Sequence, residues 1–166
     1  MSKLIPPQHR RWVSRRRPLP DTAAASAPDP STEFARTAVW VATGPQAVRQ
    51  AREFVVRRCA EWECPPGTAD AARLVVSELV TSIELRSGPD LELTAAEWSG
   101  QLYLIIREAA EFDQWSTHPP ERTHLNGLAR RVVESLSRSW GELPPAGTDG
   151  PGYWAVLDID PASAPD

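Results

Sequence analysis

The stretch Leu91–Glu108, LELTAAEWSGQLYLIIRE, decides the fold. Two runs of strand-forming residues, Leu91–Trp98 and Leu102–Glu108, flank Ser99-Gly100, a dipeptide suited to a two-residue hairpin turn. Strands so close in sequence pair antiparallel, whereas a doubly wound parallel sheet needs a helix between successive strands. The rest of the chain is fitted around this hairpin.

Upstream, Phe34–Val41 (FARTAVWV) reads as a first strand. Thr43-Gly-Pro-Gln46 then gives a capping box, with Pro45 in the first helical turn. Val48, Ala51, Phe54, Val55, Cys59 and Trp62 recur at the helical period and predict a first helix, with Cys59 a small core residue. Pro65-Pro66-Gly67 should stop it, and Thr68 should cap a second helix from about Ala69 to about Leu85. Its apolar face holds Ala72, Val75, Val76, Leu79, Val80 and Ile83.

Downstream of the hairpin, residues 109–126 read as a loop and, in the resemblance described below, as a lid. A third helix places Leu125, Leu128, Ala129, Val132, Val133, Leu136 and Trp140 on one face. Trp140–Leu143 and Tyr153–Ile159 supply two closing strands around a Pro/Gly-rich turn. The order β-α-α-β-β-α-β-β predicts an α+β two-layer sandwich, with a mixed, mainly antiparallel sheet and three helices on one face.

At 166 residues, 41% hydrophobic and 24% charged, the chain supports one core, expected over residues 34–160. Residues 1–33, basic and rich in Pro and Ala, and residues 161–166 read as disordered tails. No apolar run approaches the ~18 residues of a membrane helix, and the basic start lacks the apolar stretch of a signal peptide. Two cysteines are too few for a disulfide framework and lack a partner pair for a zinc site. Together these features predict a cytoplasmic protein, with no membrane partner.

Charge is divided along the chain. Residues 1–20 carry six basic side chains and no acid, while the remainder carries 12 basic and 22 acidic ones, a net of −10. Such a body disfavours nucleic-acid binding except through the tail cluster Arg10–Arg17. His9, His118 and His124 have no fixed spacing and read as solvated. Trp62, Trp140 and Trp154 read as core, Trp98 and Trp115 as exposed contact residues.

Three strings carry a family likeness: RLVVSELVTS (Arg73–Ser82), the helix ending Leu136-Ser-Arg-Ser-Trp-Gly141, and Tyr153-Trp-Ala-Val-Leu157. Residues 34–160 resemble the anti-sigma-factor serine kinases of the histidine-kinase/Hsp90-like ATPase superfamily, with its Bergerat fold. The stand-alone ATP-binding proteins of actinobacteria are the most similar branch. The resemblance implies a second helix with Glu and, one turn on, an Asn that holds magnesium on the nucleotide phosphates. Here Glu78 stands in the first position, as base in an active enzyme, and Ser82 in the second, a weaker magnesium ligand.

The resemblance further implies Asp-x-Gly for adenine, matched by Glu108-Ala109-Ala110, and Gly-x-Gly for phosphate, matched by Gly127-Leu128-Ala129. A Thr before the last strand is matched by Gly152. These departures together imply an eroded site for ATP and magnesium. They imply a transcription regulator that binds a sigma factor or an anti-sigma antagonist protein. The alternative is an active serine/threonine kinase acting on that antagonist. A homodimer through the sheet, with Trp40 on an exposed first strand, is a further implication. Read without the resemblance, Glu78 is equally a solvated helix residue, Glu108 an exposed acid and Gly127 a helix-start glycine after Asn126, itself a good cap.

Overall fold

The Ser99-Gly100 turn closes as the sequence predicts, with φ of 52° and 74° and Trp98 opposite Gln101. Both turn residues are left-handed, the geometry that matches the twist of the flanking strands. The computed structural model describes residues 34–42, 45–87, 90–108, 125–144 and 150–159. Both predicted tails, most of the 109–126 lid, Ala110, Trp115 and the three histidines lie outside the described residues.

The strands are β1 (Arg36–Ala42), β2 (Leu91–Trp98), β3 (Gln101–Glu108), β4 (Ser139–Leu143) and β5 (Gly152–Asp158). They form one sheet in the order β1-β2-β3-β5-β4. All four pairings are antiparallel, so the sheet is not mixed. The helices are α1 (Ala47–Glu61), α2 (Pro66–Ser87) and α3 (Gly127–Leu136). The molecule is an α+β fold.

One face of the sheet supplies Leu91, Leu93 and Ala95, then Leu102, Leu104 and Ile106, then Tyr153, Ala155 and Leu157. These alternate residues pack with the apolar stripes of α1, α2 and α3 into a single core. The opposite face carries a smaller cluster of Ala96, Tyr103, Trp154 and Val156, flanked by Phe34, Ile105 and Leu143. Trp154 is therefore buried, but on the side away from the helices.

Several local expectations change. The first helix begins at Ala47, after Pro45, and Gln46 caps it without a side-chain hydrogen bond. Pro66 does not end a helix but opens α2, the first helical position being one where its missing N–H costs nothing. Thr68 is thus inside α2, and its hydroxyl lies 3.2 and 3.1 Å from the carbonyl oxygens of Asp158 and Ile159. Instead of capping, it ties the helix to the end of β5.

The third helix ends at Leu136, and Trp140 reaches the core from β4. Leu136 and Trp140 pack against the same core from two different elements, because the chain turns at Ser137–Arg138 between them. Leu128 is 74% exposed, because burial follows the row Leu125, Ala129 and Val133, one step around the helix. Trp40 also departs from expectation: it points at the helices and stacks on Phe54 at 5.9 Å. The exposed apolar residues of the β1 edge are Val39 and Val41.

Candidate functional site

The positions singled out by the resemblance lie on α2, at the end of β3, at the start of α3 and at the start of β5. α2 packs on β3, β5 and α3, so it borders all the other pieces. Glu78 is half-buried on this helix. Ser82, one turn on, is buried, and its hydroxyl donates to the Glu78 carbonyl oxygen at 2.8 Å. A serine that bonds back along its own helix in this way has its proton committed.

Glu108 ends the core-facing row of β3 and is 4% exposed, so it is not the solvated acid its position first suggests. Its N–H donates to Pro151 O at 3.0 Å, and its carbonyl accepts from Gly150 N at 3.3 Å. Arg107 adds a bond from its guanidinium to Gly150 O at 3.1 Å. The Gly150-Pro-Gly152 segment therefore clamps the end of β3. Backbone crowding explains both glycines. A Cβ at Gly150 would fall 2.6 Å from Glu108 O, and one at Gly152 would fall 2.0 Å from Ile106 O.

Gly152 is thus a glycine because β3 and β5 approach too closely for a side chain, and the threonine implied by the resemblance has no room. The role of Gly150 was not visible in the sequence beyond the Gly-Pro-Gly pattern. Gly127 has no such constraint, since a Cβ there meets nothing within 4 Å. Ala129 is a core residue, with 1% exposure.

Asn126 governs the start of α3. Its Oδ1 accepts from Leu128 N at 3.1 Å and from Ala129 N at 2.9 Å. These are two of the backbone donors that a helix N-terminus offers to an anion. Here the protein's own side chain takes them. Magnesium and triphosphate fit this donor set poorly: Ser82 offers a short neutral hydroxyl where the resemblance implies an amide carbonyl, and the α3 amides are committed to their cap. Among the described residues no group of three or more His, Cys, Asp or Glu is placed to hold a metal ion.

A second surface lies on the outer side of α1 and α2. Arg49, Arg52, Glu53, Val56 and Arg73 line an open depression of about 400 Å³. Arg49 and Glu53 pair across one turn at 2.9 Å, and Val56 and Leu74 are exposed. Positive charge beside exposed aliphatic side chains is a combination suited to protein contact. Trp98, at the hairpin, is also exposed, as its position predicted.

No model of a known protein family matches the chain, and no curated protein matches it either. Among the described residues no helix is long and apolar enough to cross a membrane.

Proposed function

We propose that the domain is a regulatory protein-binding module of the histidine-kinase/Hsp90-like ATPase type, controlling transcription by holding a sigma factor or its anti-sigma antagonist. Its nucleotide cleft is eroded and no longer takes ATP and magnesium. The observation that carries this reading is the Asn126 cap, which occupies the amides of Leu128 and Ala129 where a phosphate would need them. The short hydroxyl of Ser82 where the resemblance implies an amide, and the glycine forced at position 152, support it. The mixed basic and aliphatic depression between α1 and α2 supports a protein partner.

Calorimetric titration of the full chain with magnesium-ATP tests the reading. No saturable binding is expected up to millimolar nucleotide. A purified sigma factor or antagonist should be retained equally with and without ATP. Micromolar magnesium-dependent binding would move the assignment to a serine/threonine kinase with Glu78 as its base.

A further inference from the structure

We infer that Cys59 and Cys64 form a redox-active dithiol that a hydroperoxide closes into an intramolecular disulfide at the C-terminus of α1. The placement follows from how that helix ends. Trp62 is the C-cap, and Glu63 follows with φ of 58°, in the left-handed region. Glu63 N donates to Ala60 O at 3.2 Å, and Cys64 N donates to Cys59 O at 2.9 Å. This crossed pair of bonds is a Schellman motif, which folds the second residue past the cap onto the residue three positions before it. An apolar contact commonly joins those two positions. In this chain both positions are cysteine.

The backbone bond holds the two positions together, and Cys64 packs against the core cluster that contains Cys59. Neither cysteine is in a disulfide, and the two differ in access, Cys59 being fully buried and Cys64 half-buried. Access also sorts their roles, and Arg36 beside Cys64 favours its thiolate. Burial, with Glu97 nearby, still holds the Cys64 thiol above its ordinary range, and pushes Cys59 up to about 12. The accessible sulfur is therefore the slow but competent nucleophile, and the buried one keeps its proton.

The chemistry balances with a hydroperoxide as the two-electron oxidant. Cys64 as thiolate attacks the distal oxygen of hydrogen peroxide; an S–O bond forms, the O–O bond breaks, and hydroxide leaves and is protonated to water. Cys59 then attacks the sulfenic sulfur. The S–S bond forms, the S–O bond breaks, and the departing hydroxide leaves as water with the Cys59 proton. Two thiols and one peroxide give one disulfide and two waters. The closed ring would fasten the end of α1 at the corner where Cys64 lies near Arg36 of β1 and Glu97 of β2.

The test treats the full chain with a modest excess of hydrogen peroxide, then alkylates it and maps its tryptic peptides. Cleavage after Arg58 and Arg73 leaves both cysteines in one peptide. That peptide should lose two hydrogens and both alkylation sites, the protein should stay free of inter-chain disulfide, and dithiothreitol should restore both thiols. The oxidation rate should climb with pH, because the thiolate is the nucleophile. Cys59→Ala should instead accumulate a sulfenic acid on Cys64 that a dione reagent traps. Two persistent thiols, a sulfinic acid on Cys64 beside a free Cys59, or a disulfide between chains would each overturn the inference. The wild-type map decides even where a variant fails to fold.

Discussion

Replacing Gly152 with alanine puts the crowding between β3 and β5 to a quantitative test. The new Cβ would lie 2.0 Å from Ile106 O and 2.9 Å from both Arg107 Cα and Ile106 C, all of them backbone atoms. Such contacts do not fall below 3.0 Å, so the strands must part by about 1 Å at Arg107–Gly152. Forced overpacking costs ~1–3 kcal/mol, and weakening one hydrogen bond of the ladder adds about 1 kcal/mol. A loss of about 3 kcal/mol follows, which lowers the melting temperature by about 10 °C in a domain of this size. Urea denaturation and calorimetry measure it, with Gly127→Ala as the internal control. A Cβ at Gly127 meets nothing within 4 Å, so that change should be neutral or slightly stabilising. Equal stabilities of the two variants would refute the crowding argument, and with it the explanation for a glycine where the resemblance implies threonine.

Other outcomes are open to the same measurements. Thr68→Val should cost about 1 kcal/mol in urea denaturation, since it removes a buried hydroxyl that reaches Asp158 O and Ile159 O while keeping the shape. Glu63→Gly should stabilise by about 0.5–1 kcal/mol, because glycine takes the left-handed conformation without the side-chain penalty. Stability should also depend on pH through Cys59, whose thiol rises from 9.0 to about 12 on burial. The folded state holds this proton more tightly, so its contribution is complete below about pH 9 and is lost as pH rises from there through 12. The slope reaches about 1.4 kcal/mol per pH unit, and a urea series from pH 7 to pH 10 on wild type and Cys59→Ala should isolate it.

The elements legible in the sequence were those whose patterns are local. The hairpin turn, the stripe of α1 from Val48 to Cys59 and the face of α2 from Ala72 to Ile83 each carry their own periodicity, and each matches a buried surface. Boundaries proved less legible where one residue serves two structures. Pro66 ends helices and starts them equally well, and Thr68 has the chemistry of a cap but meets β5 from far along the chain. Trp140 falls at helical spacing from Leu136 yet stands on β4, past the end of α3. Strand order and the antiparallel pairing of β5 between β3 and β4 depend on contacts remote in sequence.

Less of the candidate site was readable. The sequence identifies Asn126 as a good cap, and the structure gives it two amides. It does not reveal that Glu108 is buried, that Gly150 and Gly152 answer to backbone crowding, or that Ala129 belongs to the core. The adjacency of Cys59 and Cys64 was hidden for a similar reason. It depends on Glu63 taking a left-handed conformation that no sequence preference of glutamate announces.

The amide signals of Leu128 and Ala129, followed by NMR during titration of the isotopically labelled chain with magnesium-ATP, report whether the α3 cap excludes nucleotide. Both should stay in place as nucleotide rises into the millimolar range, held by Asn126. A saturable, magnesium-dependent shift of both at micromolar nucleotide would contradict that exclusion, since the cap would then have yielded those donors to phosphate.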